Sequence, residues 1–216
     1  MQLTTNIHTK RYTVLNELWS AVTHGLGILF AITALVLLAV RAAQTGGAIR
    51  MLSFIGFGIA LIILYTASTL FHALYFTKAK HVLQVLDHSG VFVLIAGSYL
   101  PYCLVAIGGT LGIALLATIW TLCAAGIIMD CFFVGRFKKL EVAIYILLGW
   151  MCLIAMEPLW VHLGPAGFFL LLAGGLCYTI GALLYSQKNI PYIHVVWHLF
   201  VLAGSVCMFI SIYLFV

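Results

Sequence analysis

Two histidines lie four residues apart near the C-terminal end of the chain, where His194 and His198 stand in an apolar run. On an α-helix, side chains at positions i and i+4 lie one above the other on the same face. Two imidazoles arranged in this way can bind one metal ion, and zinc is a common occupant of such sites. The spacing therefore favours a metal site over two unrelated histidines.

A second pair with the same spacing, Ser68 and His72, places a hydroxyl group and an imidazole on one helix face. The serine has an ordinary alternative, a hydrogen bond to a backbone carbonyl one turn earlier. Beside a metal ion it could instead hold water or a substrate oxygen. Asp87 also has two interpretations, because it is either a helix-capping acid that satisfies free backbone N–H groups or a functional carboxylate.

The other ionisable residues support weaker hypotheses. Glu17 has three open interpretations: it caps the first helix, it pairs with a basic residue of the N-terminal tail, or it has a functional role. His24 is more typical of an interfacial histidine than of a metal ligand. His88 points about 100° away from its neighbour Asp87 on a helix, so we expect it at an interface or behind the site. Structural roles or loop positions are expected for Asp130, Glu141, Glu157, His8, His81 and His162.

The composition indicates where this chain folds. Of its 216 residues, 65% are hydrophobic and 7% are charged, whereas soluble domains carry about 25% charged residues. So few charges cannot cover a surface that faces water, and we predict an integral membrane protein with residues 1–216 in a single domain. The six cysteines include no C-x-x-C pair and are expected to be buried apolar residues. The charges lie in short loops, which gives no reason to expect nucleic-acid binding.

Seven apolar segments are long enough to cross a bilayer as helices, which takes about 20 residues. We therefore predict an all-α membrane protein, a bundle of seven transmembrane helices. The pair Gly108-Gly109 is the expected turn between the third and fourth spans. The predicted spans are residues 18–40, 50–75, 84–107, 110–129, 140–159, 165–185 and 192–215.

The basic residues orient this bundle, because Lys and Arg are retained on the cytoplasmic side of a membrane. Two of the ten, Arg41 and Arg50, flank the connection between the first two spans. The other eight lie in the N-terminal tail and in the loops on its side of the membrane: Lys10, Arg11, Lys78, Lys80, Arg136, Lys138, Lys139 and Lys188. This count of basic residues predicts that the N-terminus lies in the cytoplasm and that the C-terminus lies outside the cell. It also places the histidines and Asp87 toward the cytoplasmic ends of their helices.

The residues that carry these hypotheses resemble the haemolysin III branch of the progestin and adiponectin receptor (PAQR) family. That family lies within a wider group that includes the alkaline ceramidases. The resemblance covers nearly the whole chain, and the short N-terminal tail is similar to that of the bacterial members. The matching motifs are Asn16-Glu17 with Thr23-His24, the run from Ala67 to His72, Leu86-Asp87-His88 with the run from Ala96 to Pro101, and the run from Ile190 to His198.

The resemblance implies a seven-helix fold and one zinc ion held by His72, His194 and His198. It also implies that Asp87 holds the water completing the coordination shell, with Ser68 nearby, so these two are the expected catalytic residues. We expect a multi-pass protein of the bacterial cell inner membrane whose partner is a membrane lipid. The expected activity is zinc-dependent hydrolysis of a lipid amide or ester, with ceramide-like amides as first candidates.

Two other classes of function stay open. The same zinc ion could join the second and seventh helices in a non-enzymatic sensor or regulator of the membrane. A cytolytic channel, which the family name suggests, needs a polar face through the whole bilayer. The fourth to sixth spans offer little for such a face beyond Thr118, Thr121 and Thr179. The sequence also leaves the substrate and the oligomeric state open.

Overall fold

The computed structural model describes residues 9–187 and 190–216, so His8 and Lys188, named above, lie outside the described residues. Helices form almost all of the described chain. A π-helical turn, Tyr102–Ile107, extends the third helix, and a 3-10 turn, Met151–Ala155, joins the fifth to the sixth. The α-helices are α1 Lys10–Thr45, α2 Ala48–Ala73, α3 Lys80–Pro101, α4 Gly109–Phe133, α5 Lys138–Trp150, α6 Met156–Tyr185 and α7 Ile193–Phe215.

Within the described residues, six segments are long and apolar enough to cross a membrane. This confirms the prediction of an all-α membrane protein. One of the six, Lys138–Tyr185, contains both α5 and α6. Gly164 breaks its helical path with a φ of 63° and a ψ of 179°, immediately before Pro165. The break lies at the predicted boundary between the fifth and sixth spans, but seven crossings and a cytoplasmic N-terminus stay predictions.

Six of the seven α-helices begin earlier than their predicted limits, and for α1 and α3 the earlier start changes the position of a candidate site residue. The first span was predicted as residues 18–40, whereas α1 covers Lys10–Thr45. The added turns carry polar residues, which a search for apolar segments passes over. Because α3 begins at Lys80, Asp87 lies two turns inside the helix and is buried there. The helix-cap alternative for Asp87 is therefore wrong, and Glu17 is likewise buried inside α1 rather than at its cap.

Close packing brings the first half of α1 against the end of α2 and the beginning of α7. Gly27 on α1 faces the ring of Tyr65 on α2 so closely that a β-carbon there would overlap the ring. Small residues permit such close approach between membrane helices. The beginning of α7 is tied to α1, because the backbone N–H of Tyr192 donates to the hydroxyl of Tyr12 at 3.0 Å. These contacts hold the ends of three helices at one end of the bundle.

Candidate metal centre

Three histidines from two helices converge at this end of the bundle. His72 lies in the last turn of α2, and His194 and His198 lie in the first two turns of α7. Each side chain offers one ligand atom, and these three atoms lie within 4.8 Å of one another. The Nε2 atoms of His72 and His194 are 3.1 Å apart. The convergence that the spacing and the helix ends predicted is present in the structure.

Neighbouring oxygen atoms determine which nitrogen of two of these histidines carries the hydrogen. Nδ1 of His72 lies 2.7 Å from the Oε2 atom of Glu17, and Nδ1 of His198 lies 3.1 Å from the backbone oxygen of Ser20. A carboxylate and a carbonyl oxygen accept hydrogen bonds, so both Nδ1 atoms donate. Each Nε2 atom therefore keeps its lone pair. Metal-binding histidines are commonly held through their second nitrogen in this way.

The spacing between His72 and His194 fits a shared cation. The Nε2 atom of His72 carries a lone pair, so at 3.1 Å it either accepts a hydrogen bond from the Nε2–H group of His194 or shares a cation with that nitrogen. In a tetrahedral zinc site with Zn–N bonds of ~2.0–2.1 Å, two imidazole nitrogens lie roughly 3.3 Å apart. Three neutral imidazoles with a fourth position left open are a ligand set of catalytic zinc sites. The residues present therefore fit zinc or another first-row metal that imidazole suits.

Ser68 and Asp87 line the same cavity as His194 and His198. Ser68 is fully buried, and its Oγ atom has no hydrogen-bond partner among the described residues. The hydrogen bond to the preceding turn, which the sequence left open for this serine, is therefore not formed. A buried hydroxyl group without a partner is unfavourable by about 1–3 kcal/mol. Water or a substrate oxygen in the cavity would satisfy it.

His24 lies beside the three histidines without joining them. Its ring stacks on that of His198 with a centroid distance of 3.5 Å and an interplanar angle of 13°. The edge of Tyr65 packs near the same ring at 5.1 Å. Both ring nitrogens of His24 lack a hydrogen-bond partner within the described part of the chain. We interpret His24 as a packing residue that limits rotation of the His198 ring.

Another histidine–carboxylate pair lies on the α3–α5 wall of the cavity. Nδ1 of His88 is 2.5 Å from the Oε1 atom of Glu141, and the hydroxyl of Tyr145 donates to the same oxygen at 2.7 Å. All three side chains line the cavity. The sequence indicated an interfacial position for His88 and a structural role for Glu141. Their contact joins residues 53 positions apart, and no local pattern signals it.

The cavity is polar at the histidine end and mostly apolar beyond it. It follows the inner faces of α3, α5, α6 and α7, and its wall on α7 includes both His194 and Met208. These two residues are separated by a helical rise of about 21 Å. Aliphatic side chains such as Leu94, Ile146 and Val201 line the intervening space. The polar end of this cavity thus continues into a long apolar part.

Comparison with known proteins agrees with these features. Residues 12–209 match the family model described as "Haemolysin-III related". A hemolysin-3 homolog of Bacillus subtilis is 44% identical over 201 residues, which cover 93% of this chain and 94% of that protein. Hemolysin-3 of Bacillus cereus is 42% identical over 203 residues, which cover 94% of this chain and 93% of that protein. The human monocyte to macrophage differentiation factor is 26% identical over 163 residues, which cover 73% of this chain and 67% of that protein. The match over most of the chain confirms the resemblance seen in the sequence motifs: this protein belongs to the haemolysin-III-related family.

Proposed function

We propose that this protein is a zinc-dependent hydrolase that cleaves an amide or ester bond of a membrane lipid. One observation carries the proposal: the histidine cluster lies at the polar end of a long apolar cavity, next to a buried carboxylate and an unpartnered hydroxyl. A lipid fits this arrangement if its polar linkage lies beside the histidines. Its hydrocarbon chain then occupies the apolar part.

Each polar residue has a distinct part in this chemistry. Zinc held by His72, His194 and His198 would polarise a carbonyl group and lower the pKa of a water molecule to about 7. Asp87 accepts a proton from the attacking water and orients it, which is general base catalysis. The Oγ–H of Ser68 donates to an oxygen of the substrate. Glu17 keeps the Nε2 lone pair of His72 directed away from α1 and available to the metal.

The apolar part of the cavity supports a long-chain substrate. A lipid tail already lies in hydrocarbon, so its entry gains no transfer out of water. A chain that fills the space between Leu94 and Met208 instead gains van der Waals contact with the cavity wall along its length. Ceramide-like amides are the first candidates, because they combine a single polar linkage with long chains. The charge distribution of the loops supports a cytoplasmic N-terminus, with the site near the cytoplasmic leaflet. The similarity to the Bacillus proteins supports a position in the bacterial cell inner membrane.

Elemental analysis of the detergent-purified protein tests the metal site. We expect about one zinc ion per chain in the wild type and background levels in His72→Ala, His194→Ala and His198→Ala. The matched control is His162→Ala, because this histidine is exposed on α6. A panel of long-chain N-acyl amides and esters then tests hydrolysis through release of the fatty acid. A His194→Ala variant that keeps both bound zinc and hydrolysis would refute the proposal.

A non-enzymatic regulator is the second candidate, because the histidine cluster joins α2 to α7 and could act as a structural link. In that case the same variants lose zinc, but the wild type hydrolyses none of the lipid amides or esters. The name of the Bacillus cereus relative, hemolysin-3, points to cytolysis. Ion flux through proteoliposomes containing the wild type, compared with empty vesicles, tests that third function directly.

A further inference from the structure

The metal site leaves His88, on the α3–α5 wall, without a role. Its Nδ1 atom donates to the carboxylate of Glu141, and its Nε2 atom has no hydrogen-bond partner within residues 9–187 and 190–216. The side chain is 11% exposed, and the ring lines the same cavity as His194 and His198. One ring nitrogen is therefore held by a carboxylate, while the other is available to a molecule in the cavity.

The partner of His88 is itself held in place. The hydroxyl of Tyr145 lies 2.7 Å from Oε1 of Glu141 and 3.1 Å from the backbone oxygen of His88. The ring of Tyr145 packs edge-on against Phe92 at 4.7 Å. An imidazole oriented by a buried carboxylate is the arrangement that many hydrolases use for proton transfer at Nε2. The carboxylate fixes the ring and stabilises the imidazolium form.

The side chains of Asp87 and His88 point in different directions because the two residues are neighbours on α3. Adjacent residues on a helix point about 100° apart. Asp87 is buried inside α3 and lines the cavity together with Ser68, whereas His88 turns toward Glu141 on α5. A substrate between these walls would have a proton acceptor on one side and a proton donor on the other.

We propose that His88 donates the proton to the leaving group, with Glu141 and Tyr145 as positioning residues. This inference rests on the proposed hydrolase function. The oxygen of a water molecule attacks the amide carbonyl carbon while one proton of that water passes to Asp87. The carbonyl double bond re-forms as the C–N bond breaks, and the electron pair on nitrogen takes the proton from Nε2 of the imidazolium form of His88. The products are a carboxylic acid and an amine, and transfer of a proton from Asp87 to His88 through water restores both groups.

The alternative is that the pair only clamps α3 to α5. The two roles differ in their dependence on the leaving group. An alkyl amine must be protonated as it departs, whereas a 4-nitrophenolate leaves without a proton. A proton donor therefore matters for the amide and hardly at all for the aryl ester, but a loosened structure impairs both.

The test uses two substrates with the same fatty acyl chain, an N-alkyl amide and a 4-nitrophenyl ester. In His88→Gln, we expect the amide rate to fall about 10²–10⁴-fold, the usual contribution of general acid catalysis. The ester rate and the bound zinc should stay close to the wild type. Glu141→Gln keeps an oxygen that accepts from Nδ1 but removes the charge. Glu141→Gln should also lower the amide rate relative to the ester rate. It serves as the second variant if His88→Gln does not fold.

Tyr99→Phe is the matched control. The hydroxyl of Tyr99 donates to the backbone oxygen of Leu148 at 2.7 Å, which also joins α3 to α5. We expect this variant to move the amide and ester rates together. Equal losses for both substrates in His88→Gln, or an unchanged amide-to-ester ratio in Glu141→Gln, overturn the inference and leave the hydrolase standing. A zinc-loaded wild type that hydrolyses neither substrate overturns both proposals.

Discussion

Two histidine–carboxylate pairs with nearly the same geometry lie on different sides of this bundle. Glu17 holds His72 at 2.7 Å between α1 and α2, and Glu141 holds His88 at 2.5 Å between α3 and α5. In both pairs Nδ1 faces the carboxylate. The difference lies at Nε2, which meets a second histidine at 3.1 Å in the first pair and the open cavity in the second. We therefore propose different roles for the two histidines, a metal ligand for His72 and a proton donor for His88.

Two glycines on these helices differ in the space around them. On the α1–α2 side, Gly27 lies against the ring of Tyr65 with no room for a β-carbon. On α5, a β-carbon at Gly149 would meet no atom within 4 Å. A methyl group is therefore excluded at Gly27 but accommodated at Gly149.

Removal of the metal should have the largest effect. A ligand that binds the folded state stabilises it by about 4 kcal/mol when its free concentration is roughly 1,000 times its Kd. We expect the chelator-treated wild type to unfold at a lower temperature than the zinc-loaded protein. His194→Ala should show no response to added zinc. A wild type whose unfolding temperature is the same with and without the chelator contradicts the metal site.

Glu17→Gln should weaken metal binding about 10–100-fold, as loss of the group that orients a ligand histidine usually does. The amide no longer fixes the His72 tautomer through a charge. Competition with a zinc chelator of known affinity measures the change. The matched control is Glu141→Gln, which should bind zinc as the wild type does. If both variants bind zinc equally, the distinction between the two pairs is wrong.

Gly27→Ala should destabilise the protein by about 1–3 kcal/mol, the usual effect of overpacking. The added methyl group pushes the ring of Tyr65, which donates to Ser205 at 2.9 Å. Thermal unfolding in detergent measures the loss. Gly149→Ala is the control, and it should be neutral or stabilising by up to about 1 kcal/mol, because alanine is the better helix former. Equal stability of the two variants would show that the α1–α2 contact is not tight.

Thr23→Val should have the smallest effect. The Thr23 hydroxyl lies 3.2 Å from Nδ1 of His198, but the backbone oxygen of Ser20 still accepts from that nitrogen. We expect a loss of about twofold to threefold in zinc affinity, near the lower limit for one hydrogen bond. Thr33→Val removes a hydroxyl that donates to Leu29 on the same helix and should have no effect. A tenfold loss in Thr23→Val would mean that Thr23, rather than Ser20, orients His198.

The three histidines of the candidate metal site were predicted in two ways. The i, i+4 spacing places His194 and His198 on one helix face, whereas His72 was added by the resemblance to the haemolysin III branch. The roles of Glu17 and Glu141 could not be predicted, because each contacts a histidine more than 50 positions away. A helix surface carries no sign of which neighbouring helix will face it.

The sequence by itself determined that this chain is an all-α membrane protein with polar groups near the ends of its apolar helices. Hydropathy, helical periodicity and charge placement are properties of short segments, so they can be read without a fold. Only the tertiary structure decided that three histidine nitrogens lie within 4.8 Å, that Glu17 holds His72, and that His88 faces Glu141 beside the cavity. These distances depend on how closely distant helices pack, which no single segment specifies.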